Sequence, residues 1–234
     1  LEHRLMHAET FAYLLHNLDP ARMAVPPGAL ELASGDAPAS EMTAIPAGVV
    51  RLGRSREAGF GWDNEFESHE ARVPAFRLSR HKVTNGEYLK FVEAGGPAPH
   101  YWRRRGNGWR LRVMFGEVPL PLDHPVYATG EQAAAYAAWR GCGLPSEAQW
   151  QHAAYGTPRD VGRESDEREF PWGEQPPGAN RGNFDFHHWD TVPVDCSPAG
   201  ASAFGVEQML GNGWEWTSTV FHPFPAFRPM PFYE

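Results

Sequence analysis

Residues 125–156 read PVYATGEQAAAYAAWRGCGLPSEAQWQHAAYG, and this stretch contains two helix starts of the same kind. At each start a hydroxyl residue is followed three positions later by glutamine, which is the arrangement called a capping box. The hydroxyl accepts a hydrogen bond from the third helical amide, and the glutamine bonds back to the amide of the cap. With a third box upstream that uses glutamate, the pairs are Thr84–Glu87, Thr129–Gln132 and Ser146–Gln149. They predict helices over about 85–94, 130–140 and 147–154.

The chain opens with a separate helical pattern. Apolar residues within 1–18 recur three and four positions apart, and Asp19-Pro20 ends the helix because proline cannot continue it. Pro, Gly, Ala and Ser then predominate, as is typical of a linker. The predicted organisation is the end of a helical domain at 1–24, a linker at 25–41 and a main domain at 42–234. We expect the upstream part of the helical domain to be missing.

The main domain is predicted to hold short strands among many loops. Strands are expected over Ile45–Gly53 and Glu70–Leu78, and the basic run Arg103–Arg105 is interpreted as a solvated turn. The 24 Gly and 22 Pro favour loops, while 9 Trp and 14 Phe supply large packing contacts. The predicted fold class is therefore α+β with little regular structure.

Composition excludes several classes of function. The net charge of −8 argues against nucleic acid as a partner, because phosphate binding requires clustered Lys and Arg. No apolar run is long enough for a bilayer span. Cys142 and Cys196 form no CxxC pattern, so they indicate a reducing cytoplasm rather than a disulfide framework. The oligomeric state cannot be inferred.

The opening helix carries the sharpest chemical motif, His3-x-x-x-His7-x-Glu9. Residues four apart lie about 40° apart around a helix, so both imidazoles face one way and could bind one metal ion. His16 lies on the far side of the helix, and the third ligand must therefore come from elsewhere. The alternative is a pair of ordinary exposed or hydrogen-bonded histidines.

Two further segments could belong to a site. Gly211–Trp216 reads GNGWEW, and its rings either fill the core or, with Asn212 and Glu215, surround a hard cation. The stiff, proline-rich segment 221–227 reads FHPFPAF and could form an aromatic wall for a quaternary ammonium group. Packing on the core is the competing interpretation for this segment.

Several segments together resemble the formylglycine-generating-enzyme-like (sulfatase-modifying-factor, C-type-lectin-related) fold. The matching segments are IPAGVVRLG, RHKVTNGEYLKFVEAGG, the stretch 125–156, FPWGE and PAGASAFGVEQMLGNGWEWTST. Formylglycine-generating enzymes use a reactive cysteine pair late in the chain. Neither Cys142 nor Cys196 lies in a matching place, so that activity is not expected.

The histidine motif upstream of this domain resembles the last helix of a DinB-like four-helix bundle. This fusion is similar to the ergothioneine and selenoneine synthases. The resemblance implies that His3 and His7 bind Fe(II), with a third histidine that is not in this chain. It also implies O₂ and hercynine as substrates, with a selenosugar or a thiol donor, and formation of a carbon–selenium or carbon–sulfur bond. Trp214, Phe221 and Phe224 are the implied substrate-binding rings.

One departure from the sulfoxide synthases affects the expected donor. Those enzymes carry tyrosines spaced by three after the WEWT stretch, and one of them donates a proton. The aligned positions here are Phe221 and Phe224, which have no hydroxyl. The sequence GNGWEWTSTVF resembles that of the selenoneine synthase branch of the family, so selenoneine synthase is the favoured interpretation. The proton donor stays unassigned, and the C-terminus is expected to be truncated.

Two alternatives follow from the same residues. An ergothioneine sulfoxide synthase would use cysteine or γ-glutamylcysteine as the donor. A lectin-like ligand-binding module without catalysis would leave His3 and His7 inert. Metal content separates the second alternative from the enzymes.

Overall fold

The structure is a computed structural model that describes residues 2–158 and 167–231. Four α-helices and seven short strands are connected by long loops within these ranges. The helices are α1 (Glu2–His16), α2 (Asn85–Glu93), α3 (Gly130–Trp139) and α4 (Glu147–Tyr155). The strands are β1 (Met42–Ile45), β2 (Gly48–Leu52), β3 (His69–Val73), β4 (Phe76–Ser79), β5 (Trp102–Arg105), β6 (Gly108–Val113) and β7 (Gly116–Pro119).

The strands form three small antiparallel sheets. β1 pairs with β4, β2 pairs with β3, and β5, β6 and β7 form a meander in that order. The strand predicted over Ile45–Gly53 is interrupted after Ile45, and the one predicted over Glu70–Leu78 is interrupted after Val73. Proline follows each of these residues and has no N–H to donate to a ladder. Each predicted strand is therefore divided between two strands, β1 and β2 in the first case and β3 and β4 in the second.

The interpretation of Arg103–Arg105 as a solvated turn is wrong, because these residues lie in strand β5. Pairing partners explain why a strand can contain three consecutive arginines. The guanidinium of Arg104 lies 5.4 Å from the ring centre of Trp109, and Arg105 lies 3.0 Å from the carboxylate of Glu117. These cross-strand contacts join residues of different strands and leave no local signal in the sequence.

The three predicted helix starts are confirmed. Thr84, Thr129 and Ser146 are the N-caps of α2, α3 and α4, and each box has both of its hydrogen bonds. The helices end at Glu93, Trp139 and Tyr155, each within one residue of the predicted end.

Replacing the cap residue Ser146 by alanine is expected to lower the free energy of unfolding by about 1 kcal/mol. The hydroxyl accepts from the amide of Gln149 at 3.2 Å, and alanine leaves that amide without its partner. Urea unfolding measures the difference. Ser146→Thr keeps an acceptor and should stay within a few tenths of a kcal/mol of the parent. A loss of equal size in both variants would contradict the capping argument.

The core consists of two clusters of buried side chains. One lies between α2, α3 and the meander, with Tyr88 stacked on Tyr136 at 5.3 Å between ring centres. The other packs α4 against Ile45 of β1 and against the loop residues Val206 and Met209. Buried His152 of α4 lies within 3.1 Å of the carbonyl of Pro46, and a Cβ at Gly48 would lie 2.4 Å from its ring. Glycine at position 48 therefore permits the close approach of α4 to β2.

Helix α1 is joined to the meander near its C-terminal end. His16 Nε2 lies 3.0 Å from the carbonyl oxygen of Arg112, and the Arg112 guanidinium donates to the carbonyl of Leu18 at 2.7 Å. The segment predicted as a linker is also held, since Gly35 donates to the carboxylate of Asp123 at 2.7 Å. No helix within 2–158 and 167–231 is long and apolar enough to cross a membrane.

Candidate metal and substrate site

His3 and His7 on α1 point their rings toward one another. Their Nε2 atoms are 2.9 Å apart, and the ring centres are 4.5 Å apart. Two imidazole nitrogens bound at right angles to one first-row metal ion, each at about 2.0–2.1 Å, would be about 2.9 Å apart. The pair therefore fits two adjacent positions on a metal ion. The same distance also fits one hydrogen bond between two neutral imidazoles.

A complete ligand set is not found in the part of the chain that the structure describes. Within residues 2–158 and 167–231 no cluster of three or more His, Cys, Asp or Glu side chains could hold a metal ion. His16, expected on the far side of α1, lies against Arg112 of β6. The nearest ring neighbour of the pair from another part of the fold is Trp62, 6.4 Å from His3 between ring centres.

An apolar stripe continues the line of the two histidines along α1. His3, His7, Phe11 and Leu14 are spaced by four, four and three residues, which places them on one side of α1. The two apolar members of this stripe, Phe11 and Leu14, are exposed by 62% and 59%. Such a stripe is typical of a helix whose partner helices cover it.

Glu9 connects α1 to the GNGWEW segment from another side of the helix. Its carboxylate accepts from the indole N–H of Trp214 at 2.6 Å and also from the hydroxyl of Tyr13. Burial, together with the bond to Glu9, raises the pKa of Tyr13 to about 12. Glu9 therefore fixes Trp214 against the helix that carries the histidines.

The side chains of the GNGWEW segment do not form the hard-cation site that the sequence allowed. The amide group of Asn212 bonds to both backbone groups of Val192 and to Gln208, and Glu215 contacts the ammonium group of Lys82. Burial lowers the pKa of Lys82 to about 7, whereas the adjacent carboxylate favours its charged form. Because Asn212 and Glu215 already have protein partners, they hold the backbone of this segment.

Of the three rings predicted to bind substrate, Trp214 and Phe224 contact different elements of the fold and Phe221 is exposed. Trp214 is 83% exposed and bonds to Glu9, and Phe221 is 86% exposed. Phe224 is half-buried, with its ring centre 4.8 Å from that of His69 on β3. Trp214 and Phe221 are therefore open to solvent, whereas Phe224 packs against β3.

An aromatic cleft that the sequence did not indicate lies between the meander and the start of α3. Its volume is about 690 Å³, and its ring-bearing residues are His100, Tyr101, Tyr127 and Trp216. These residues come from segments far apart in sequence. No spacing within one segment predicts the cleft.

With this geometry established, comparison with known proteins identifies the family. The model of the sulfatase-modifying factor enzyme 1-like domain matches residues 30–230. The chain belongs to this family, and the mixed helix and sheet content agrees with it.

The curated relatives include enzymes of two names. The chain is 40% identical over 190 residues to a hercynine oxygenase of Mycobacterium tuberculosis, covering 72% of this chain and 43% of that protein. A hercynine oxygenase of Mycolicibacterium smegmatis is 39% identical over 197 residues, covering 74% and 45%. The formylglycine-generating enzyme of Mycobacterium tuberculosis is 29% identical, covering 81% and 77%. The chain thus spans less than half the length of these hercynine oxygenases.

Among solved structures, PvdO from Pseudomonas aeruginosa has a similar fold. Its TM-score is 0.56 at 25% identity, covering 77% of this chain and 71% of that chain. Cys142 and Cys196 form no disulfide with each other in this structure, and both side chains are exposed.

Proposed function

We propose that this chain is part of a non-haem Fe(II), O₂-dependent enzyme that forms a bond from selenium or sulfur to the imidazole of hercynine. The observation that carries the proposal is the convergent imidazole pair of His3 and His7 on a helix joined to this family of domain. The identity of about 40% to proteins named hercynine oxygenases supports the substrate.

In this proposal His3 and His7 hold the iron, and a third ligand comes from outside the described residues. Bound iron would supply the activation of O₂. The chain's own residues position that metal: Glu9 ties α1 to Trp214, and His16 ties it to Arg112. Imidazole ligands suit iron, and two nitrogens 2.9 Å apart require little rearrangement to share it.

The apolar stripe below the histidines supports a DinB-like helical domain. Exposed Phe11 and Leu14 follow His7 at helical spacing, so helices that cover them would also surround the metal. We propose that such helices provide the third histidine and remove the stripe from water.

The favoured donor is a selenosugar. Phe221 and Phe224 replace the tyrosines of sulfoxide-forming relatives and cannot transfer a proton. Their rings, with that of Trp214, would instead contact the substrate and exclude water. Two free cysteines agree with a reducing, cytoplasmic setting.

The test supplies the full-length protein containing this chain with Fe(II), O₂, hercynine and one donor at a time. Product mass is expected to show hercynine joined to selenium from a selenosugar. Turnover only with cysteine or γ-glutamylcysteine would overturn the selenium assignment and keep the enzyme class. No product with any donor, in protein that retains iron, would contradict the enzyme class.

A ligand-binding module is the second candidate, and one observation favours it. His3 and His7 can satisfy each other by a hydrogen bond at 2.9 Å, so they need no metal to be stable. Iron that stays absent from protein purified with Fe(II) would support this candidate.

A further inference from the structure

Lys82 carries a buried charge for which the proposed function has assigned no task. Its side chain is 9% exposed, and its ammonium group contacts the carboxylate of Glu215 and lies 3.5 Å from the carbonyl oxygen of Gly213. These two partners are the residues on either side of Trp214. A buried ammonium group needs such partners because removing its charge from water is costly. Lys82 therefore holds the backbone at both ends of Trp214.

The backbone around Lys82 is itself fixed to the main domain. The carbonyl of Arg80 accepts from the amide of Glu207 at 2.8 Å, and the carbonyl of Val83 accepts from the amide of Val126 at 2.9 Å. Lys82 lies between these two bonds, so its ammonium group extends from a fixed support.

The direction of the Trp214 ring depends on this support. Gly213 has a φ of 115°, a conformation that glycine adopts readily and that other residues rarely adopt. Trp214 is 83% exposed, so packing constrains its ring little. With a flexible neighbour and little packing, the ring relies on the polar contacts of the residues that flank it.

Trp214 in turn contacts α1 on the side away from the histidine pair. Its indole N–H donates to the carboxylate of Glu9 at 2.6 Å. Glu9 follows His7 by two residues, which is about 200° around the helix. On the other side His3 lies 6.4 Å from Trp62 between ring centres. A contact on the far side of a helix limits its rotation, and with it the direction of the imidazoles on the near side.

The attachment at Glu9 complements one at the other end of α1. His16 lies 3.0 Å from the carbonyl oxygen of Arg112, and it is nine residues beyond His7, about 13 Å along the helix. Two separated contacts define the direction of a rigid helix, and Glu9 provides the one that is nearer to the histidines.

We infer that Lys82 is a positioning residue, which holds Trp214 against α1 and thereby sets the direction of the two imidazoles. The consequence for iron rests on the proposed function, whereas the contact between Trp214 and α1 does not. Lys82→Met keeps a side chain of similar length and removes its charge and its donors, so the backbone that flanks Trp214 loses its tie.

The test uses full-length protein in which the tryptophans carry isotopic nitrogen for NMR. The indole N–H signal of Trp214 is the one that Trp214→Phe removes. In Lys82→Met this N–H is expected to exchange with water at least about tenfold faster, because exchange requires its contact with Glu9 to open. Glu215→Gln weakens the same tie more mildly, should act in the same direction, and decides the question if Lys82→Met does not fold.

Arg80→Met is the matched control. Arg80 also pairs with a buried carboxylate, that of Glu207 at 2.9 Å, but this pair lies outside residues 213–215. Its loss is expected to lower stability and to leave the exchange of the Trp214 N–H at the parental rate.

Fe(II) affinity is measured on the same variants. Lys82→Met should weaken it by about tenfold, as for residues that orient metal ligands. In the Trp214→Phe background it should have no further effect, because Lys82 acts through that ring.

Three results would overturn the inference: parental exchange of the Trp214 N–H in Lys82→Met and Glu215→Gln, an equal change in Arg80→Met, or additive losses of iron affinity in the double variant. A parent protein that binds no iron would instead contradict the proposed function, and the exchange rates would still decide whether Lys82 holds Trp214 against α1.

Discussion

Full-length protein in which His3 and His7 are both replaced by alanine is expected to lose bound iron, with affinity lowered by more than about 100-fold. Changes to residues that merely orient metal ligands cost about 10–100-fold, and removal of two ligands exceeds that. Both histidines are exposed, so the free energy of unfolding of the metal-free protein should change by less than about 0.5 kcal/mol. Elemental analysis after reconstitution with Fe(II) measures the loss.

The chain contains a matched control for this experiment. His187 and His188 are a second exposed pair, with ring centres 5.1 Å apart. Replacing both by alanine removes the same number of imidazoles and should leave the iron content at the parental level. If the His3 and His7 variant retains iron to the same extent as this control, the ligand assignment is wrong and the family assignment alone remains.

Local signals allowed the helices to be predicted from the sequence. A capping box joins residues three positions apart, so Thr84, Thr129 and Ser146 each mark a helix start without knowledge of the fold. The His3 and His7 geometry follows from the same helical spacing. These features need no partner from elsewhere in the chain.

Features that depend on distant partners could not be predicted in the same way. Strand β5 looks like a solvated turn until Arg105 is paired with Glu117 of β7. The contact of Glu9 with Trp214 joins residues 205 positions apart. The cleft likewise combines Tyr101, Tyr127 and Trp216 only after folding.

The sequence left Asn212 of the GNGWEW segment either a structural role or a role as cation ligand, and the fold supports the structural role. Asn212 is 4% exposed and has a φ of 57°, a left-handed conformation that asparagine tolerates better than most residues. Its side chain accepts from the Val192 amide at 2.9 Å and donates to the Val192 carbonyl at 2.9 Å and to Gln208 at 2.6 Å. The side chain thus closes a bridge between two loops and has no free atom for a cation.

Asn212→Ala is therefore expected to lower the free energy of unfolding by about 3–4 kcal/mol. Each buried group left without a partner costs about 1–3 kcal/mol, and the groups affected belong to Val192 and Gln208. For a protein of this size the corresponding fall in Tm is roughly 6–16 °C. Urea unfolding and calorimetry measure the two quantities.

Two companion variants separate the causes of that loss. Asn212→Gly removes the same hydrogen bonds but relaxes the left-handed backbone, so it should be about 1 kcal/mol more stable than Asn212→Ala. Val220→Ala, at a residue 77% exposed, should change stability by less than about 0.5 kcal/mol. If Asn212→Ala were as mild as Val220→Ala, the bridge would not hold the segment. Trp214 would then need another support for its contact with Glu9, because Asn212 lies only two residues before it.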